Sequence, residues 1–544
     1  MKFFLAACLS VFASSAWALE LDLPSVFSDH MVLQRQMQVP IWGKANAGST
    51  IEVAFAGQNA KTQADETGKW RLKLRPMEAS VESRVLVIRV MLGDQQIEHA
   101  IEDVLVGEVW LAGGQSNMYR PFRMLVGDAN QESHQPIVEY LRNEVATGND
   151  PLLRQFRSAP VLSVNEPQFQ GRGAWSKAIP GDINEFSGTA YFFARELRRE
   201  LNVPVAFLSC NLGGTIIEAW MPRKAFDTSE ALRDYYHSQL VKHHKAIQAW
   251  DDDRERAKYK KALETWKTKK AAGKKAGREP SKPVPPESNK RVPSTLYNGI
   301  IHPVATYGIR GFLWYQGESN TAHFPEEYGN RLSALIDGWR SVWGQGDLHF
   351  FWCQLASYKA ANDKPVGDAD PQACVKDGQR YALRIPNTGM AVLNDVGDST
   401  DVHPKNKIDA GKRLSLWALN QAYDKQDVVF SGPLFRDARV DNGKVVISFD
   451  YANGGLMSGE KHLMDPVIES NKPLQRFQIC GPGGQWVWAK AEITGADTVV
   501  VWHPEVTQPT EVRYAWSGNA DHANLYNKAG LPASLFKTGE FPSR

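Results

Sequence analysis

Apolar and polar positions follow two different rhythms along this chain. From Leu19 to about Val104, short runs at 37–43, 50–55 and 85–90 are rich in β-branched or alternating apolar residues and are separated by Gly, Asp and Asn. Such text predicts strands joined by turns, here an antiparallel β-sandwich module over residues 19–104. After Val104 the rhythm changes. Runs at 106–112, 205–209, 311–315 and 348–354 are largely apolar, whereas 190–200, 328–339 and 410–422 carry apolar residues at helical spacing. Apolar strands alternating with amphipathic helices predict an α/β domain, a parallel sheet covered on both faces, over residues 105–426. Short β runs return at 444–449, 498–502 and 511–516, predicting a second β module over 427–544.

The first residues form a third pattern. Lys2 precedes an apolar run at 3–12, and Ala16-Trp17-Ala18 is a small-x-small site before Leu19, which predicts a secretory signal peptide over 1–18 cleaved after Ala18. The mature chain is thus expected to be secreted or periplasmic. A lipoprotein reading through Cys8 leaves only seven residues ahead of that cysteine, and the apolar run continues past it. No later stretch reaches about 18 uninterrupted apolar residues, so no membrane span is expected. Cys210, Cys353, Cys374 and Cys480 form no C-x-x-C pair and support no zinc knuckle. Cys210 and Cys353 lie in apolar runs as buried thiols do, and an oxidising compartment leaves a Cys353–Cys374 disulfide open.

Composition adds class rather than detail. The 544 residues exceed one domain of about 150, and 42% hydrophobic with 23% charged residues exclude a collagen-like, coiled-coil or mostly disordered chain. The net charge of +2 speaks against a nucleic-acid partner but conceals an uneven distribution. Residues 254–291 hold 14 Lys/Arg against 4 Glu and no Asp, opening as helical text and ending in a Pro-rich linker. Removing that +10 and the +1 of Lys2 leaves −9 for the rest. The insertion reads as a solvated helix and linker, with an anionic glycan or envelope surface as the alternative.

Four polar strings follow apolar strands. In Leu111-Ala112-Gly113-Gly114-Gln115-Ser116-Asn117-Met118 a strand runs into two glycines and then a serine, the strand-end position at which open α/β sheets place their sites. It is not the G-x-S-x-G elbow of α/β-hydrolases, because Met118 stands where the second Gly would be. The others are Asn211-Leu212-Gly213-Gly214-Thr215, Trp314-Tyr315-Gln316-Gly317-Glu318-Ser319-Asn320, and the acidic loop 394–404 that closes on His403-Pro404. Together they hold the parts of an acyl-transfer site: a serine, a histidine to take its proton, and a carboxylate to orient the ring. His302 beside a proline reads as structural, Asp251-Asp252-Asp253 as a solvated helix end, and Trp314 and Trp502 as core residues. No metal or organic cofactor is expected.

These four strings, with the opening 23–35 and Leu296-Tyr297-Asn298-Gly299-Ile300-Ile301-His302-Pro303, resemble the sialate O-acetylesterase family, a branch of the SGNH (GDSL-like) hydrolases. The resemblance runs from about Leu23 to Leu416. It implies an SGNH-type three-layer α/β/α domain with flanking β-sandwich modules, and a serine carbohydrate esterase that removes O-acetyl groups through an acyl-serine intermediate. Ser116 is then the nucleophile and His403 the general base. The oxyanion hole is implied to use the backbone N–H of Ser116, that of Gly214 or Gly213, and a side-chain amide, Gln316 first and Asn320 second. The spacing departs from the group's Asp-x-x-His, because Thr400 stands three before His403. Asp401 is the preferred acid, with Asp398 and Glu318 as rivals and a Ser–His dyad also open. The partner is an acetylated glycan or oligosaccharide. Alternatives are an acetyl-xylan, xyloglucan or other hemicellulose deacetylase on the same scaffold, and a non-catalytic glycan-binding protein. The presence of both Ser116 and His403 argues against the last.

Overall fold

The computed structural model describes residues 18–127 and 134–539, so residues 1–17 of the expected signal peptide lie outside the described part. Its centre is a seven-strand path. In chain order the strands are β1 (Gln95–Gly114), β2 (Asp150–Ala159), β3 (Arg172–Ala178), β4 (Val205–Asn211), β5 (Gly311–Tyr315), β6 (His349–Cys353) and β7 (Thr388–Ala391). They lie in the order β3-β2-β4-β1-β5-β6-β7. All neighbours are parallel except the antiparallel edge pair β2–β3. β1 lies between β4 and β5, so the chain fills the sheet on one side of β1 and then on the other. The carboxyl end of β1 therefore opens a crevice at the switch of direction.

Helices cover both faces. Trp110 of β1 packs edge-on against Phe193 of helix α1 (Gly188–Leu201), with ring centroids 5.2 Å apart. Gly113, of opposite parity in the strand, faces Trp339 of helix α2 (Tyr328–Trp343), where a Cβ would come within 2.9 Å of the ring. Helix α4 (Lys407–Gln421) joins α1 on its face through Trp417 and Phe351, and α3 (Pro371–Tyr381) packs with α2. Local chemistry marks the ends. Ser187 accepts from Ala190 N at the start of α1, Asn202 ends it at φ 51°, and Asn406 accepts from Asp409 N at the start of α4.

The N-terminal residues differ from the expected separate sandwich. β1 is one 20-residue strand whose first half is mostly exposed and whose second half is buried throughout. The first half pairs antiparallel with Ser80–Leu92, the second lies inside the parallel sheet. The boundary expected between residues 104 and 105 thus falls within a continuous strand, and one hydrophobic core serves both regions. The change from alternating to continuous apolar text marked a change of surroundings, not a break in the chain. The C-terminal strands, from Leu434–Asp441 to Phe536–Lys537, form three small sheets around a second core that includes Val445, Phe477, Tyr514 and Phe536.

Cys210, Cys353, Cys374 and Cys480 are free thiols, the first two and Cys480 buried, so the open Cys353–Cys374 disulfide is absent. Trp314 is buried as expected, but Trp502 is half-buried and carries Lys444 Nζ 4.7 Å from its ring centre. Asp251 caps the helix Asp252–Ala271, and His302 Nδ1 lies 2.9 Å from Gln168 O. No helix among the described residues is long and apolar enough to cross a membrane.

Candidate active site

The two glycines at the end of β1 are demanded by space. A Cβ on Gly114, which has φ +136°, would lie 2.3 Å from Tyr315 O. This close approach lets Gln115 N donate to Tyr315 O at 3.0 Å and turns the chain so that Ser116 opens a one-turn helix above the sheet. The four strand-end strings meet here.

Ser116 Oγ lies 2.9 Å from His403 Nε2. On the other side of the ring, His403 Nδ1 lies 3.0 Å from Asp401 Oδ1, which also accepts the His403 backbone N–H at 2.9 Å. Arg120 Nη2 is 3.1 Å from the same Nδ1. With the proton on Nδ1, the ring donates to Asp401 and leaves the Nε2 lone pair for the Ser116 hydroxyl. In the other tautomer Nδ1 accepts from Arg120 and Nε2–H opposes Ser116, which cannot remove its proton. Burial, then Arg120, lowers the pKa of His403 below the usual 6.5, against the pull of Asp401, so the ring is a neutral base at neutral pH.

The rival carboxylates are engaged elsewhere. Asp398 Oδ1 ties its own loop by accepting from Thr400 N, Thr400 Oγ1 and Asp401 N at 2.7, 2.8 and 3.2 Å. Glu318 accepts from Asn117 Nδ2 on the inner side of Ser116. Asn117 also donates to Val402 O at 3.0 Å, and its Oδ1 accepts from Lys407 Nζ at 2.5 Å. One amide therefore braces the serine turn, the Glu318 turn, the histidine loop and the start of α4. Lys407 is fully buried and is the first residue of α4, where a cation opposes the helix dipole; its place is not explained by helix stability. Burial pushes its pKa down to about 7, with Glu318 acting in the opposite sense. Burial raises the pKa of Glu318, whose Oε2 is sealed without a partner among the described residues.

The expected amide donors are placed differently. Gln316 is fully buried, its Nε2 facing Gln115 Oε1, Thr215 O and Asn320 Oδ1 at 3.2, 3.0 and 2.7 Å, while its Oε1 accepts from Tyr328 OH at 2.8 Å. Asn320, also fully buried, donates to Glu218 Oε2 at 3.1 Å. Two amide hydrogens with three inward acceptors leave Gln316 none for an oxyanion. Both side chains instead tie the third string to the second. The backbone stands nearer: a Cβ on Gly213 would be 3.4 Å from Ser116 Cβ, and Gly214 has φ +69°. The N–H groups of Ser116, Gly213 and Gly214 have no hydrogen-bond partner among the described residues.

The residues of the site that the strings did not single out are Asn117, Lys407 and Arg120. Asn117 lies inside the serine string, and Lys407 is a lysine on the apolar side of an amphipathic helix, so both left a signal. Arg120 left none. No cluster of three or more metal-ligating side chains occurs among the described residues.

A serine, a histidine and a carboxylate brought together at strand ends form the arrangement that acyl-transfer hydrolases use. The carbohydrate-esterase model for sialic acid-specific acetylesterases matches residues 287–418. A crystal structure of a carbohydrate acetylesterase from Xanthomonas citri is similar over 95% of this chain and 99% of that one, with 34% identity and a TM-score of 0.74. Sialate O-acetylesterases of Mus musculus and Rattus norvegicus are 26% and 27% identical, covering 91% and 75% of this chain and 89% and 75% of their own lengths. The chain belongs to the sialate O-acetylesterase family and is a carbohydrate O-acetylesterase.

Proposed function

We propose that the chain is a secreted or periplasmic serine esterase of the SGNH type, built on the three-layer α/β/α arrangement, that removes O-acetyl groups from sugars. His403 Nε2 takes the proton of Ser116 Oγ as the oxygen attacks the acetyl carbonyl, and Asp401 holds the ring and stabilises its cation. The backbone N–H groups of Ser116 and Gly214 receive the oxyanion, each such donor contributing about 2.7–4 kcal/mol to the transition state. The imidazolium then protonates the departing sugar oxygen as its bond to the acyl carbon breaks, and the sugar leaves as a free hydroxyl. A water activated by the same histidine hydrolyses the acetyl-Ser116 ester, releasing acetate. The contact that carries this reading is the 2.9 Å approach of His403 Nε2 to Ser116 Oγ across 287 residues of sequence.

The names of the relatives support an acetylated sialic acid as substrate. A polar cleft of about 400 Å³ lies beside the histidine loop, lined by Asp398, Ser399, Lys461, Lys472 and Asn519 but by neither Ser116 nor His403, and offers charges of both signs to parts of a glycan remote from the reacting ester. Acetate release from a panel of acetylated sialic acids, xylo-oligosaccharides, xyloglucan and pectin tests the substrate. Preference for sialic acids by at least about tenfold in kcat/KM supports the reading, and preference for a hemicellulose replaces it. Ser116→Ala abolishes hydrolysis of an aryl acetate in a folded protein, and retained activity removes the acyl-serine mechanism.

A further inference from the structure

The basic segment returns to the active site at its last two residues. Lys290 Nζ donates to Gly213 O, and Arg291 Nε donates to Gly214 O at 3.1 Å. A Cβ on Gly214 would lie 3.3 Å from Lys290 Nζ. Neither glycine carbonyl has a backbone donor among the described residues, because the turn at Gly214 takes both out of the strand ladder. The cations are the partners these carbonyls have. Nor are they on the loose part of the insertion: the following run 292–300 is buried, and Ser294 N is tied to Glu218 O at 3.0 Å.

Gly213 O and Gly214 N–H are opposite ends of one peptide group. A cation on the oxygen draws electron density toward it, which strengthens the N–H as a donor. Arg291 has the same relation to the Gly214–Thr215 peptide. We infer that Lys290 is a positioning residue that clamps the Gly213–Gly214 peptide and polarises its N–H toward the oxyanion formed at Ser116. This rests on Ser116 as nucleophile and Gly214 as oxyanion donor. It assigns to the tail of the basic insertion a part in the reaction, although no substrate contact is involved.

The test is kcat and KM of the full chain for para-nitrophenyl acetate across neutral to alkaline pH, in wild type, Lys290→Met, Lys290→Arg and Ser116→Ala. Lys290→Met lowers kcat about tenfold with KM within about twofold, since the donor acts on the transition state. Lys290→Arg keeps most of kcat. Burial and Arg291 lower the Lys290 pKa below 10.5, so wild-type kcat declines on the alkaline side as that proton is lost. The decline is absent in Lys290→Arg, because arginine keeps its charge. A merely structural lysine would not produce that difference. Wild-type kcat in Lys290→Met, or the same alkaline decline in wild type and Lys290→Arg, overturns the inference. So does a change confined to KM, which makes Lys290 a substrate contact. If Lys290→Met does not fold, the pH profile of Lys290→Arg decides alone. Retained activity in Ser116→Ala overturns the parent mechanism, whereas an inactive Ser116→Ala beside a wild-type Lys290→Met overturns only the role of Lys290.

Discussion

The two sides of Ser116 carry charged groups in opposite settings. On the outer side His403 and Asp401 keep side-chain exposures of 21% and 33%. On the inner side Lys407 is fully buried and Glu318 turns a sealed carboxylate oxygen inward, both linked through Asn117. Burial moves both inner groups toward their neutral forms, raising Glu318 and lowering Lys407 to about 7. A group that exchanges a proton with substrate and water in each turnover has to be reachable. A group that holds the serine turn and the histidine loop in register gains by being enclosed, because low dielectric and close packing remove alternative positions.

This contrast predicts a graded response. The outer side gives the largest effects: His403→Ala lowers kcat by about 10⁴-fold or more, and Asp401→Asn by about 10²–10⁴-fold, measured on an aryl acetate with the fold checked by circular dichroism. Near-wild-type rates in Asp401→Asn would leave a Ser–His dyad. On the inner side Asn117→Ala lowers kcat by about 10²-fold through misplacement of Ser116 and His403, and unlike the outer variants it also lowers the melting temperature. Lys407→Met costs about 1–3 kcal/mol in chemical denaturation, because the Asn117 carbonyl loses its buried donor. Lys407→Met combined with Glu318→Gln recovers part of that loss, since no unbalanced buried charge remains; strict additivity would show that the two are not coupled through Asn117.

Smaller effects sharpen the outer side further. In its proposed role as base His403 has to be neutral, so kcat/KM falls as pH drops through its pKa, which lies below 6.5. Arg120→Met removes a cation that disfavours the imidazolium, so the acid limb moves to higher pH; a limb that stays in place would show that Arg120 does not act on the ring. Smallest of all, Lys260→Glu with Lys261→Glu changes aryl acetate kcat by less than about twofold, because the helix Asp252–Ala271 buries no residue.

The same division governs what could be read in advance. Strands β4, β5 and β6 and helices α1, α2 and α4 agree with the apolar runs to within a few residues, because a central strand and a packed helix must be apolar at fixed spacing. β7 has four residues, Thr-Gly-Met-Ala, too short for a pattern. The edge strand β3 and its neighbour β2 carry arginines and a lysine that snorkel or pair, which hides them. Ser116, His403 and Asp401 were visible as strand-end strings. Gln316 is a polar residue at a strand end, as an oxyanion donor would be, but the direction of its side chain is set by Asn320 of its own string and by Gln115, Thr215 and Tyr328 from three other segments.

The amino-acid sequence alone therefore determined the alternation of strands and helices, the family, and the strand ends at which the reacting groups stand. Only the tertiary structure decided which of three carboxylates faces His403, that Asn117 joins four segments, and that Lys290 ends on Gly213. Local preferences act over a few residues and leave periodic marks, whereas these choices depend on contacts such as the 2.9 Å approach of Ser116 to His403. Packing of the whole sheet and its helices sets that distance, and no stretch of text contains it.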